Sequence, residues 1–180
     1  MEITYQIKIT DLIEFNVYSL KQSIVMTKQL QKKRLIGSAC LIFFGVIIYF
    51  LFKVHDFSLF FSVFGLLLLL FYTAYPYIFY SMIRKKLGRF LRKSRGGLLA
   101  GEYYLRITSD GIKERVESGV LNTYAWNQIV KIKENANHIY IFTSVYEAII
   151  IPKEIWKSVN DQQRFLNEVL TYYHKNCGRY

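Results

Sequence analysis

Two uncharged stretches decide the fold of this chain: Leu35–Phe52, which reads LIGSACLIFFGVIIYFLF, and Phe57–Ile83, which reads FSLFFSVFGLLLLLFYTAYPYIFYSMI. Roughly 20 apolar residues in a helix cross the ~30 Å hydrocarbon core of a bilayer. The stretches have 18 and 27 residues, so both are long enough. A soluble helix of such length normally keeps a polar face, which neither stretch has. We therefore predict a transmembrane hairpin over 35–83, with helices at about 35–52 and 57–80.

The orientation of this hairpin follows from the positions of its basic residues. Twelve Lys and Arg residues flank the hairpin, whereas Lys53 is the only one in the connecting loop. Cytoplasmic flanks of membrane helices are enriched in Lys and Arg. We therefore predict that the protein lies in a bacterial inner membrane with both termini in the cytoplasm. The residues assigned to the membrane surface, where they could contact anionic lipid headgroups, are Lys28, Lys32, Lys33, Arg34, Arg84, Lys85, Lys86, Arg89, Arg92, Lys93 and Arg95.

The net charge of +11 is confined to these flanks. Between Lys21 and Arg95 there are 13 basic residues and one acidic residue, whereas the rest of the chain has 11 basic and 12 acidic residues. A basic surface normally suggests nucleic acid. Here the basic residues lie beside the predicted membrane helices, where they determine the orientation of the helices in the membrane. We therefore predict no nucleic-acid partner.

The segment after the second apolar stretch has two interpretations. Pro76 should bend or break the helix, because proline lacks the backbone N–H that the helix needs. Beyond it, apolar residues at helical spacing alternate with basic ones. Residues 77–95 therefore either lie on the inner leaflet as an amphipathic helix or continue the second helix. Residues 84–101 form a basic juxtamembrane segment that ends in a glycine-rich linker.

The last 80 residues change character and predict a β domain over 102–180. Short segments rich in β-branched and aromatic residues are separated by turn residues, which indicates an antiparallel meander. The predicted strands are Glu102–Thr108, Ile112–Glu117, Val120–Tyr124, Ile129–Glu134, His138–Thr143 and Glu147–Ile151. A helix should begin at Asn160, which has capping-box spacing to Gln163.

Residues 1–34 repeat the strand pattern before leading to the membrane. Ile3, Tyr5 and Ile7 alternate with polar residues, and Asp11 with Glu14 should then start a helix. A lone strand is unstable in water, so we expect this one to join the C-terminal sheet. The predicted fold is α+β: a cytosolic antiparallel β-roll of seven strands with a C-terminal helix, into which the two-helix transmembrane hairpin is inserted after the first strand.

Three short motifs resemble the YcxB-like bacterial membrane proteins. They are Ser109-Asp110-Gly111-Ile112, the segment Tyr124–Ile129 (YAWNQI) and the segment Ile149–Lys153 (IIIPK). The order of strand, basic-flanked hairpin and β domain resembles this family over the whole chain. The resemblance implies that 102–180 is a domain similar to pleckstrin-homology (PH) rolls. It supplies no functional residues.

No pattern of catalytic residues is evident. His55, His138 and His174 have no metal-ligand spacing, and Cys40 and Cys177 neither supplement them nor favour a disulfide. Nucleophile-elbow, zinc-protease and phosphate-loop motifs are absent from the sequence. We predict a protein that is not an enzyme, with no catalytic, metal-binding or cofactor-binding residues.

Two tryptophans and two lysines are the candidate partner-binding residues. Trp126 and Trp156 either cap a small core or are exposed as anchors for a partner. Lys131 and Lys133, together with Lys113 and Arg115, occupy alternate strand positions. They form either a basic stripe or an ordinary solvated face.

The favoured function is a non-enzymatic bacterial inner-membrane protein whose PH-like module binds a protein, peptide or lipid partner. The alternative is an immunity protein that protects against a membrane-active toxin or bacteriocin. A membrane-bound enzyme is less favoured because the sequence supplies no catalytic pattern. An oligomeric pore is less favoured because neither apolar stretch contains Asp, Glu, Lys, Arg or His. The sequence does not predict the oligomeric state.

Overall fold

The computed structural model describes residues 1–51, 56–93, 100–117 and 119–177, the side chain of Cys177 excepted. The predicted loop residue Lys53, the basic residue Arg95 and most of the linker at 97–101 lie outside this part. The described strands are β1 (Glu2–Ile7), β2 (Gly101–Thr108), β3 (Gly111–Val116), β4 (Leu121–Ala125), β5 (Lys131–Glu134), β6 (His138–Phe142) and β7 (Ala148–Pro152). The helices are α1 (Ile9–Gln22), α2 (Ile24–Leu51), α3 (Phe57–Lys93) and α4 (Val159–Cys177).

The fold is α+β, and its strands form two antiparallel sheets. The first sheet has the order β1-β2-β3-β4, and the second has the order β5-β6-β7. Strand β1 pairs with β2 from Glu2 opposite Arg106 to Ile7 opposite Gly101. The N-terminal strand therefore joins the C-terminal sheet, as its alternating pattern predicted.

Residues 1–15 and 87–180 form one compact unit, which we call the β unit, and its core is built from the inward rows of both sheets. All five residues of β6 are buried, and Ile139 and Ile141 lie opposite Ile151 and Ile149 of β7. Between β3 and β4 the backbones approach closely, since a Cβ at Gly111 would lie 2.3 Å from the carbonyl oxygen of Tyr124. Only glycine fits this position without a shift of the backbone.

Helix α4 buries Phe165 and Val169. The predicted cap was wrong. Ser158 accepts a hydrogen bond from the backbone N–H of Asp161 at 3.2 Å, and its hydroxyl donates to the Asp161 carboxylate at 3.0 Å. The cap is thus Ser158, two residues before the predicted Asn160, because serine also favours this position and the two patterns overlap.

The start of α1 also differs from the prediction. The helix begins at Ile9, and Asp11 lies inside its first turn, where its Oδ2 accepts a hydrogen bond from the backbone N–H of Lys8 at 2.7 Å. Asp11 therefore satisfies a free N–H from within the helix. Its other carboxylate oxygen is left for a tertiary contact.

Helices α2 and α3 pack as an antiparallel pair within the unit formed by residues 16–86. Tyr49 contacts Phe57 at one end, and Lys33 lies 5.5 Å from the ring of Phe79 toward the other. Between them Gly45 faces the ring of Phe64, and a Cβ at this position would lie 2.3 Å from that ring unless the ring moved. Both helices are long and apolar enough to cross a membrane.

Helix α3 continues through Pro76 to Lys93. Pro76 therefore does not break the helix, whereas the other expectation, a bend at Pro76, stays a prediction. Of the two interpretations left open for residues 77–95, the described part up to Lys93 continues the second helix. A helix tolerates an internal proline when another donor satisfies the carbonyl that loses its partner.

Candidate functional site

The outer face of the first sheet carries a basic groove. The alternation of β2 buries Tyr103, Leu105 and Ile107 and turns Tyr104 and Arg106 outward. Register then places Arg106 opposite Lys113 and Tyr104 opposite Arg115. A cavity of about 400 Å³ lies over this face, and its lining is Tyr104, Arg106, Lys113, Arg115, Gly119 and Leu121. We call it the β2–β3 groove.

The positive charge of the β2–β3 groove is only partly compensated. Arg106 pairs with Glu2 at 3.2 Å across the neighbouring strand. Within the described part of the chain, neither Lys113 nor Arg115 makes an ion pair. Like charges directly opposite each other on a sheet are destabilising, as Arg106 and Lys113 are here. An anionic ligand would relieve that repulsion.

An acidic neighbourhood limits the groove on one side. A second cavity of about 380 Å³ shares Tyr104 and Arg115 but is lined by Glu102 and Glu117 as well. The pKa of the Tyr104 hydroxyl is raised, chiefly by its hydrogen bond with Glu2. The cationic part of the β2–β3 groove is therefore restricted to Arg106, Lys113 and Arg115. A ligand whose negative charge lies at one end would bind in a preferred orientation.

The four basic strand residues do not form one stripe. Lys113 and Arg115 lie on β3 of the first sheet, whereas Lys131 and Lys133 lie on β5 of the second. The Lys131 ammonium lies 4.5 Å from the ring of Phe142, and Lys133 is exposed. Alternation within each strand was correct, but sheet membership depends on a break between β4 and β5 that residue spacing does not reveal.

The tryptophans have different surroundings. Trp126 is 2% exposed, and its indole N–H donates to the carbonyl of Thr108 at 3.0 Å. The possibility that Trp126 is a surface anchor is thus wrong, and its alternative role in the core holds. Trp156 is half-buried and packs against Phe165 at 5.1 Å between ring centroids, so its remaining face is accessible.

The inner face of the same sheet buries a carboxyl group. Glu114 is 7% exposed and its Oε2 accepts a hydrogen bond of 3.4 Å from Asn122. Burial raises the pKa of Glu114, and the Asn122 hydrogen bond opposes this only in part. The pKa values of Tyr5 and Tyr103 are also raised, chiefly by the burial of each hydroxyl group and in part by the nearby carboxylate of Glu114. Glu114 therefore favours the neutral form more than an exposed glutamate does.

The Glu114→Gln variant should be more stable than the wild type at pH 7. Because the folded-state pKa of Glu114 is raised, the stability it contributes is present below the unfolded pKa and is lost as pH rises through the folded pKa. The glutamine variant lacks this loss, so its advantage should vanish toward about pH 4. Denaturant unfolding at both pH values measures it. Exposed Glu117→Gln is the control, and an equal pH effect there would contradict the explanation.

A second buried polar cluster joins α1 to β6. His138 is 3% exposed, and its Nε2 lies 3.1 Å from Asp11 Oδ1. Its Nδ1 lies 3.5 Å from Glu14 Oε2, within ion-pair distance but without hydrogen-bond geometry. Asp11 and His138 are 127 positions apart, so residue spacing gives no sign of their contact. Among the described residues, no group of three or more His, Cys, Asp and Glu side chains is arranged to hold a metal ion.

The basic residues assigned to the membrane surface lie mainly on exposed helix positions. On α2, Lys28, Lys32 and Lys33 are exposed. On α3 the exposed members are Arg84, Lys85, Lys86, Arg89, Arg92 and Lys93. Arg34 differs, because it is half-buried and its Nη2 donates to the carbonyl of Tyr72 at 2.8 Å.

Arg34 compensates for the proline in α3. The carbonyl of Tyr72 would normally accept a hydrogen bond from the backbone N–H four residues later, which is Pro76 and has none. The Arg34 guanidinium supplies the missing donor and also lies 3.7 Å from the centre of the Tyr72 ring. This contact explains how α3 passes through Pro76, and we call it the Arg34–Tyr72 clamp.

Comparison with known proteins supports the resemblance seen in the motifs. A family model described as YcxB-like protein matches residues 107–169, from the end of β2 into α4. No curated protein and no solved structure matches the chain. The matched range includes all three motifs on which the resemblance rested. The chain therefore carries a YcxB-like domain at residues 107–169, inside the β unit that presents the β2–β3 groove.

Proposed function

We propose that this is a non-enzymatic bacterial inner-membrane protein in which the α2–α3 hairpin anchors a cytosolic YcxB-like module. The observation that supports it is the exposure of both apolar helices. In the most apolar 18-residue window of each, 6% of the α2 residues and 0% of the α3 residues are buried. A core helix of a soluble protein would be mostly buried, and water does not tolerate apolar surface of this extent. A bilayer would cover it.

The β unit supports a PH-like module. Four antiparallel strands form one sheet, three form the other, and α4 follows them and buries its apolar face. PH-like rolls combine seven strands and a C-terminal helix in this way, as the family resemblance implies. Strand β1 supplies one edge of the sheet, so a fragment that starts at Glu102 would lack it. Experiments on the module therefore use the full chain.

Topology is tested with reporter fusions. A reporter that is active only outside the cytoplasm should be active when fused after Asp56 and inactive when fused after Asn176. The reason is that the basic flanks hold both ends of the hairpin inside. An inactive reporter after Asp56 would place this loop in the cytoplasm and would contradict the hairpin. Charge reversal of Asp56, which leaves the flanks unchanged, is the control and should not alter the orientation.

The partner of the module is an extended acidic peptide segment. Strand β4 is an edge of the first sheet in the described chain, and its Leu121 is 62% exposed. An extended peptide can add to such an edge through backbone hydrogen bonds. Lys113 and Arg115 on the adjacent β3 then lie within reach of acidic side chains. The open shape of the β2–β3 groove suits a chain better than an enclosed small molecule.

Binding is tested with the full chain in a neutral detergent. A fluorescent peptide of alternating Thr and Glu is the probe, and alternating Thr and Gln is the uncharged comparison. The double variant Lys113→Gln/Arg115→Gln should weaken binding of the acidic peptide by about fivefold, since each exposed charge contact contributes up to ~1 kcal/mol. The charge-matched variant Lys131→Gln/Lys133→Gln should not. Equal losses in the two variants would contradict the groove.

The protection hypothesis stays a prediction. If the chain is an immunity protein, deleting it should sensitise the cell to a membrane-active toxin or bacteriocin. Unchanged sensitivity would remove that alternative and leave the anchored binding module.

A further inference from the structure

A third cavity lies within the unit formed by residues 16–86. It measures about 460 Å³ and lies between the end of α1 and the C-terminal half of α3. Its lining is Val17, Lys21, Pro76, Tyr77, Tyr80, Ser81 and Arg84. Two cations, three hydroxyl groups and two apolar residues thus surround one space. We call it the Lys21–Arg84 cavity.

The charges of this cavity are uncompensated. Neither Lys21 nor Arg84 makes an ion pair within the described part of the chain. The Lys21 ammonium lies over the ring of Tyr80, 5.2 Å from its centre, which fixes its position without neutralising it. Among the described residues of this unit, Asp56 is the one acidic group, and it lies at the opposite end of the hairpin. The site therefore attracts an anion from outside the chain.

Hydrogen-bond donors surround the same space. Tyr77 is 80% exposed and Ser81 is exposed, so both hydroxyl groups can reach a ligand. Lysine, arginine and hydroxyl donors together suit the non-bridging oxygens of a phosphate diester. A single positive patch without these donors would attract anions only weakly.

Exposed apolar side chains precede the cavity along α3, and they indicate the rest of the ligand. Toward the N-terminus of α3, Leu66, Leu67, Leu69 and Leu70 are each more than half exposed. A free phosphate would make no use of that surface, whereas acyl chains would cover it. Val17 and Pro76 are the apolar residues of the cavity lining.

We propose that the Lys21–Arg84 cavity binds the headgroup of an anionic glycerophospholipid, with the acyl chains lying along α3. Lys21 and Arg84 hold the phosphate, and Tyr77 and Ser81 donate hydrogen bonds to it. This site rests on the membrane insertion of the hairpin given above. It makes the end of the hairpin a specific lipid contact in addition to a general positive flank.

The test measures lipid retained by the full-length protein in neutral detergent. Phosphatidylglycerol is the probe, phosphatidylcholine tests the headgroup charge, and glycerol phosphate tests the acyl chains; native mass spectrometry counts each bound species. Phosphatidylglycerol should be retained in preference to both. Lys21→Gln/Arg84→Gln should lose about tenfold or more in affinity, because each basic group near an anionic surface contributes about fivefold.

Two further variants keep the proposal falsifiable. Lys85→Gln/Lys86→Gln removes the same charge from exposed positions of the same helix outside the cavity and should lose much less. Tyr77→Phe/Ser81→Ala keeps the charge and should lose affinity by removing the hydroxyl donors.

Each failure identifies what is wrong. Equal losses in the two charge variants would overturn the cavity, and so would equal binding of glycerol phosphate and phosphatidylglycerol. Release of the protein from membranes by alkaline carbonate would instead overturn membrane insertion. A carbonate-resistant protein that fails the lipid test would contradict the lipid site alone.

Discussion

Replacing His138 with alanine is expected to lower the free energy of unfolding by about 3 kcal/mol. The substitution removes the imidazole, whose Nε2 lies 3.1 Å from Asp11 Oδ1. The Asp11 carboxylate stays in the interior, since only 12% of the Asp11 side chain is exposed. Removing the partner of a buried charge costs about 3–5 kcal/mol, because the Asp11 carboxylate then stays buried without compensation. The lower end applies, since Asp11 keeps its hydrogen bond from Lys8 N–H.

Denaturant unfolding followed by tryptophan fluorescence measures this effect, because Trp126 and Trp156 belong to the same unit as His138. His174→Ala is the matched control, since His174 is an exposed histidine on α4. In the double variant Asp11→Asn/His138→Ala the isolated charge is gone, so its loss should be smaller than the sum of the single losses. A His138→Ala loss no larger than that of His174→Ala would contradict a stabilising contact between His138 and Asp11.

Replacing Arg34 with alanine is expected to destabilise the hairpin by about 2–3 kcal/mol, and the loss should depend on Pro76. In the wild type the Arg34–Tyr72 clamp supplies the donor that Pro76 cannot, and a hydrogen bond from a charged group contributes about 1.5–3 kcal/mol. In a Pro76→Ala background the backbone N–H of residue 76 can bond to the Tyr72 carbonyl. The Arg34→Ala loss should then fall to about 1 kcal/mol, mainly from the ring contact.

Unfolding by sodium dodecyl sulfate in mixed micelles, followed by circular dichroism, measures the four members of this cycle. Arg34→Lys is the control for charge, because lysine keeps the positive flank but lacks the planar donor group. Lys32→Ala, an exposed neighbour, controls for position. If the losses from Arg34→Ala and Pro76→Ala simply add, the clamp does not compensate for the proline.

Several features were predictable because they depend on neighbours in the sequence. The strand segments lie within a few residues of β2 to β7, since a period of two and turn residues are local properties. The helix starts were less accurate. Asp11 and Asn160 can both cap a helix, but neighbouring residues such as Ser158 can do so as well. Which residue becomes the cap depends on which backbone N–H is left free.

The candidate site was only half predictable. Lys113 and Arg115 were recognised as alternate strand residues, but Arg106 was not placed beside them. That neighbourhood depends on the register of β2 with β3. Trp126 could have been either anchor or core, and the decision depended on Thr108 and α4, which lie far from it in the chain.

The sequence alone determined the two long apolar helices, their basic flanks, the β character of the last 80 residues and the YcxB-like motifs, because composition and short-range periodicity encode each of them. The tertiary structure alone decided the contacts between distant residues: Asp11 with His138, Arg34 with Tyr72, and Lys21 with Arg84 around one cavity. The physical reason is that such contacts depend on helix packing and on which buried polar groups remain to be satisfied. Neither property can be read from residue spacing.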